Sequence, residues 1–349
     1  MPSASAPAPH PREFRTYQEV RRRVLRMKEM EAEHEGAPPS AYWREELATL
    51  DYVLEASPPV VAKLRHHCHT VTGLRPYEYR TNRSVDEAAH RTKLRALVEV
   101  AGDELLVPER RELGGFGFEI DGRLINRDTL KFFEALIALE RGGVLRTLRE
   151  GGDRRVVWEI GAGWGGFAYQ LKALFPHVTV LISDLPELFI FSAVYLQTLF
   201  PQARLSFHGD DDWDDAIAED VDFAFVPHGF VEAVRPRRLD LTVNMVSFQE
   251  MTEAQVRTYV DHAHALGCPF LYSLNRERSP YNEELKSVSA VIRRRYWPHE
   301  IPVLPVDCSE LPERVHTPRA RYPELPANWP QGRRALGYRH LVAWRRQLA

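Results

Sequence analysis

Val156-Val157-Trp158-Glu159-Ile160-Gly161-Ala162-Gly163-Trp164-Gly165-Gly166 decides the fold of this chain. A short apolar run ends at an acidic residue, and three glycines follow at alternate positions. Phe167, Leu171, Leu174 and Phe175 then recur at helical spacing. The pattern is a buried strand, a tight turn and a helix. Glycine is needed where the backbone bends sharply and a ligand must approach with no Cβ in the way. Such a turn can hold a pyrophosphate at a helix N-terminus, as in dinucleotide-binding folds. The order here is E-x-G-x-G-x-G rather than G-x-G-x-x-G, which points to a different ligand.

The next apolar run, Val178 to Ser183, stops at Asp184, 25 residues after Glu159. A carboxylate at the end of the second strand of such a unit can accept hydrogen bonds from both ribose hydroxyls. The plainer alternative is that Asp184 starts a turn or caps the helix after Pro186. Further strands are expected at Val156–Ile160, Leu239–Val246, Phe270–Leu274 and Tyr338–Trp344. Ala203–His208 and Val221–Pro227 compete for one more place. Thr252 and Gln255 form a capping-box pair that opens a helix ending before Gly267. Alternating strands and helices with glycine at the first turn imply an α/β fold: a Rossmann-like, doubly wound, mostly parallel sheet.

The remainder divides into residues 1–11, a Pro/Ala/Ser-rich tail expected to be disordered, and 12–112, a mostly helical region expected to cover the substrate or mediate a homodimer. Helices are anticipated over Phe14–Glu35, from Tyr42 to about Glu55, from Ser57 onward and over Ser84–Val100, with Ser40 capping the second. An Asp121-Gly122 turn makes a short hairpin, and Asn126 or Asp128 caps the helix after it. Residues 113–349 form the catalytic domain.

A net charge of −3 argues against a general nucleic-acid binder. No apolar run approaches the roughly 20 residues that span a bilayer, and a cytoplasmic location is expected. Cys68, Cys268 and Cys308 lie too far apart for a disulfide framework or zinc ribbon. The acidic run Asp210–Asp215 has the oxygen ligands Mg²⁺ uses, but reads better as a solvated loop capping the next helix. In His66-His67-Cys68-His69 only His66 and His69 share a helix face, so no metal site is assigned.

Four stretches resemble class I S-adenosylmethionine-dependent methyltransferases, and among them the bacterial sugar O-methyltransferase family. They are Glu159–Gly166, Asp184–Glu187, Asn244–Met251 and Tyr272–Arg276. The resemblance runs from about Leu113 onward, and Ser247-Phe248-Gln249-Glu250-Met251 is its most specific piece. It implies S-adenosyl-L-methionine as cofactor, held by Glu159, Gly161, Ala162, Gly163, Gly165, Asp184, Leu185, Asn244 and Ser247. Asn275 and Arg276 would face a small-molecule substrate. Plant-type phenolic O-methyltransferases carry a histidine base near the fourth core strand; here Gln249 and Glu250 stand there. Glu250 is therefore the candidate base, Gln249 a substrate-orienting group and His228 a reserve base. The expected activity is methyl transfer to a sugar or other hydroxyl of a natural product in secondary metabolism. The alternatives are C- or N-methylation of an aromatic or indole scaffold, a non-catalytic binding module, and a nicotinamide-dependent oxidoreductase.

Overall fold

The computed structural model describes residues 11–34, 38–80, 84–150, 154–214, 221–279, 282–304 and 337–347. Cys308, Asp215 and residues 1–10 of the proposed tail lie outside them. The small hairpin comes first, β1 (Phe118–Ile120) and β2 (Arg123–Ile125), with Asp121 and Gly122 both at positive φ in its turn. That is the backbone a two-residue hairpin turn requires.

The main sheet is built from β3 (Arg155–Ile160), β4 (Val178–Asp184), β5 (Leu205–Phe207), β6 (Phe223–Pro227), β7 (Leu241–Met245), β8 (Phe270–Asn275), β9 (Tyr296–Glu300) and β10 (Arg339–Arg345). Their spatial order is β5-β6-β4-β3-β7-β8-β10-β9. β3 to β8 pair in parallel, and β10 alone runs against both its neighbours. β4, β6 and β7 are buried along their whole length, which is why they read as continuous apolar runs. The order reverses between β3 and β7, so the crevice at their C-terminal ends is the ligand position of an open α/β sheet.

Both competing third-strand segments are strands. β6 takes the place beside β4, and β5 adds a short edge beyond it. β9 was not legible as a strand, because Tyr-Trp-Pro-His-Glu is charged and contains Pro298. It sits at the sheet edge, where proline costs no ladder bond.

Helix α1 (Arg12–Glu33) buries Tyr17, Val20, Val24 and Met27, a stripe at helical spacing, and lies along α9 (Phe189–Leu199). Its apolar face belongs to the same cluster as the core residues of the sheet. The second expected helix is shorter than its pattern: α2 (Ala41–Leu47) stops and a 3₁₀ turn, Asp51–Glu55, follows. Leu50 turns into the core at the break. The third breaks into short turns, α3 (Pro58–Val61), a 3₁₀ turn (Leu64–His67) and α4 (His69–Thr72), ended by Gly73 in the left-handed region. α5 (Ser84–Ala101) and α6 (Arg127–Arg141) follow, α6 opened by a capping box of Asn126 and Thr129. α7 (Val144–Arg149), α8 (Gly166–Leu174) and α10 (Glu253–Ala265) complete the layers used below. α10 carries the anticipated Thr252–Gln255 box. No described helix is long and apolar enough to cross a membrane.

Candidate functional site

Two cavities meet over the glycine turn, one of about 370 Å³ and one of about 170 Å³. Val71, Gly161, Gly163, Met245 and Val246 line both. Gly161, Gly163 and Gly165 all have φ between +58° and +81°, a region other residues enter only with strain. Their surroundings differ. A Cβ on Gly161 would lie 2.1 Å from Ser247 Oγ, and one on Gly163 would lie 2.6 Å from Val71 Cγ1 of α4. The space before Gly163 is thus shared with the N-terminal region, through a residue that no motif marks. Gly165 faces neither cavity; it caps α8 and brings it close to Ser192 of α9. Its assignment to cofactor binding is corrected to helix packing.

The larger cavity holds Asp184, Leu185, His228, Ser247 and Glu250, all named from sequence. Asp184 ends β4 as expected. Its Oδ2 accepts from Gly163 N at 2.8 Å and its Oδ1 from Leu185 N at 2.8 Å. Burial nevertheless pushes its carboxyl up to about 7, against those two bonds. Each oxygen keeps a lone pair for a further donor. Glu250 follows β7 in a 3₁₀ turn, Phe248–Glu250. Burial, then the acids Glu46 and Asp184, push it up to about 8, while a bond from the Trp43 side chain and the charge of Arg276 oppose the shift. His228 Nδ1 lies 2.9 Å from Glu31 Oε1 of α1, out of line for a hydrogen bond. His34 stacks on Phe230 nearby.

The smaller cavity is lined by Glu159 and Ala162 from the strand and turn, by Arg127, Asp128 and Lys131 from α6, and by Tyr338. Glu159 is 2% exposed and its Oε2 has no hydrogen-bond partner. Burial, with Asp184 adding to it, pushes its carboxyl up to about 8. Asp128 behaves oppositely. Burial would raise it, but Lys131 and Arg65 outweigh burial and hold it below the usual range. Arg65 joins Asp128 and Glu109 at 2.9 Å each and lies 3.7 Å over the Trp164 ring. This buried cluster holds the start of α6 against the glycine turn. Arg127 Nε is buried with no partner.

Three of the sequence-named residues lie behind the cavities rather than in them. Asn244 donates to Ile160 O at 2.9 Å and to Ser247 Oγ, and accepts from Phe248 N and Asn275. It ties the end of β7 to that of β3. Asn275 donates to Asn244 and Ser273. Gln249 accepts from Arg276 N at 2.9 Å and donates to Tyr338 Oη. Their polar groups are engaged within the protein, and they brace the strand ends beneath the cleft. Arg276 also lines neither cavity and stacks over Tyr338, 4.7 Å from the ring centre.

What sequence reasoning missed comes chiefly from before the glycine turn: Ser40, Trp43, Val71, Arg127 and Lys131. No local motif marks them. Val246, at the end of β7, has φ +67°, a rare backbone for a β-branched residue and one found at functional sites. Among the described residues no cluster could hold a metal ion. Asp210 accepts from Phe207 N at 3.1 Å and Asp212 pairs with Arg204, so both carboxylates turn back toward β5.

No protein-family model matches the chain, and no curated protein matches it. Solved structures with a similar fold include the Haemonchus contortus phosphoethanolamine N-methyltransferase 2 in complex with S-adenosyl-L-methionine. It is 11% identical, with 64% of this chain and 58% of that one covered and a TM-score of 0.35. The pyocyanin biosynthetic protein PhzM is 12% identical, with 60% and 57% covered and a TM-score of 0.33. The Synechocystis PCC 6803 magnesium protoporphyrin IX methyltransferase with bound SAH is 11% identical, with 75% and 98% covered and a TM-score of 0.34. The chain thus spans less than two thirds of the first two. Both the fold and the chemistry rest on this chain's own strand order and residues.

Proposed function

We propose that the chain is an S-adenosylmethionine-dependent methyltransferase acting on a small acceptor. The observation that carries the reading is the pair of cavities joined at the glycine turn, each with chemistry for one end of that cofactor. Asp184 and Leu185 suit the nucleoside: a carboxylate for the ribose hydroxyls and an apolar wall for the base. Glu159 has an unpaired buried oxygen for an ammonium, and Arg127 and Lys131 lie close by for a carboxylate. Together these suit an α-amino-acid head. The bound cofactor would supply an electrophilic methyl on a sulfonium; the protein's part is to position it and the acceptor.

A nicotinamide cofactor fits less well. It would set a pyrophosphate over the turn, beside the unpaired carboxylate of Glu159. Among the described residues no Lys or Arg lines the larger cavity, and in the smaller one Lys131 is already paired with Asp128. β10 also interrupts the second half of the sheet, which in dinucleotide-binding folds repeats the first.

Glu250 serves as the base. It lies in the larger cavity beyond Asp184, and a carboxyl raised to about 8 is matched to taking a proton near neutral pH. The acceptor is a hydroxyl, of a sugar or another natural product, or an amine, since either must lose a proton to Glu250. His228, beside Glu31, remains in reserve. The test is calorimetric titration with S-adenosylhomocysteine and with NADH. Binding of the first and not the second is expected; the reverse would overturn the proposal.

A further inference from the structure

The mouth of the larger cavity carries a charge pattern that the cofactor does not account for. Trp43 of α2 lines it together with Glu250, and its side chain favours the charged form of that carboxyl. Glu46, three residues further along the same helix, lies close enough to repel Glu250. Arg276 is the cation that acts on Glu250, more weakly than Glu46 or Asp184, and it lies outside the cavity. Met251 and Tyr259 add apolar wall. An aromatic side chain in a lining that carries Asp184, Glu232 and Glu250 and, among the described residues, no Lys or Arg attracts an organic cation, through the ring quadrupole and through charge. It repels phosphate and carboxylate.

We propose that this cavity, where Trp43 and Glu250 share one lining, seats a protonated arylalkylamine, and that its nitrogen is the methyl acceptor. The proposal rests on the methyltransferase reading above and narrows it. Glu250 takes one proton from the ammonium group. The freed nitrogen lone pair then forms the new N–C bond to the methyl carbon as the C–S bond breaks with its electron pair on sulfur. The products are a secondary ammonium ion and a neutral thioether, and Glu250 passes its proton to solvent. A nucleotide-linked sugar, with two phosphates, would meet Asp184, Glu232 and Glu250 here and, among the described residues, no Lys or Arg.

The test uses the full chain saturated with S-adenosylhomocysteine and three probes of one shape: 2-phenylethylamine, 2-phenylethanol and phenylacetate. Calorimetry should show the amine binding roughly tenfold more tightly than the alcohol, with the acid weakest. Glu250→Gln should shrink the amine's advantage to about threefold or less while leaving S-adenosylhomocysteine affinity in place. Trp43→Phe, which keeps a ring and loses the N–H, should retain the order of the three probes and serves if Glu250→Gln fails to fold. Equal binding of amine and alcohol, preference for the acid, or no binding of any probe would overturn the proposal. Failure of S-adenosylhomocysteine itself to bind would instead overturn the methyltransferase reading beneath it.

Discussion

The two cavities share a floor yet differ in charge, one acidic and one of mixed sign. The larger is lined by Asp184, Glu232 and Glu250 with no Lys or Arg among its described residues; the smaller sets Arg127 and Lys131 against Asp128 and Glu159. The difference teaches that one glycine turn can serve two unlike halves of a ligand. A nucleoside is neutral and needs oriented acceptors, whereas an amino-acid head carries both charges and needs one group of each sign. The division also shows where damage should be shared and where it should not.

The shared floor is the most sensitive point. Gly161→Ala would place a Cβ at 2.1 Å from Ser247 Oγ on a backbone with φ +73°. S-adenosylhomocysteine and its head-less fragment 5′-methylthioadenosine should both lose binding, by roughly 100-fold or more. Circular dichroism of the variant should remain that of a folded α/β protein. Binding of either ligand at wild-type strength would mean that the turn does not lie under the ligand.

Glu250→Gln should act on chemistry alone. Turnover should fall by roughly 10²–10⁴, with S-adenosylmethionine affinity nearly unchanged. A full-rate variant would remove Glu250 as base and turn attention to His228.

Asp184→Ala belongs to the larger cavity but should weaken both ligands equally, since both carry the ribose. About 2–3 kcal/mol is expected from charge-assisted bonds to two hydroxyls. Glu159→Gln is the sharper cut. S-adenosylhomocysteine should bind roughly tenfold more weakly, and 5′-methylthioadenosine as before. Equal losses for the two ligands would erase the distinction between the cavities.

The smallest effect concerns pH. Glu159 and Asp184 are raised, so the fold favours their neutral forms. The stability this gives is complete below the ordinary carboxylate range and is lost as pH climbs through about 7 for Asp184 and about 8 for Glu159. Ligand-free protein should therefore melt at progressively lower temperature over that interval, and Glu159→Gln should flatten the trend. A melting temperature that rises instead would show these carboxylates to be better solvated than the structure implies.

The larger cavity was the more legible of the two in sequence. Asp184 and Glu250 stand where an apolar strand stops, and a polar residue at such an end must find a partner. The Thr252–Gln255 capping box and the Asp121-Gly122 hairpin were also readable, because their rules are local. Arg127, Lys131, Trp43 and Val71 were not. They reach the cleft through the packing of helices far along the chain, and nothing in their own neighbourhoods separates them from a solvated helix face or an ordinary core position. Asn244 and Gln249 show the opposite difficulty. Polarity at a strand end marked them, but it could not distinguish a partner in the protein from one in a ligand.

Val246 separates two kinds of evolutionary pressure. A β-branched residue held at φ +67° carries strain of about 1–3 kcal/mol, which Val246→Gly would relieve. A laboratory lineage selected only for survival of heat would collect that change early. A lineage selected for turnover should keep the valine, because it walls both cavities and its stiffness helps hold the seam between them. The two lineages would diverge at this residue.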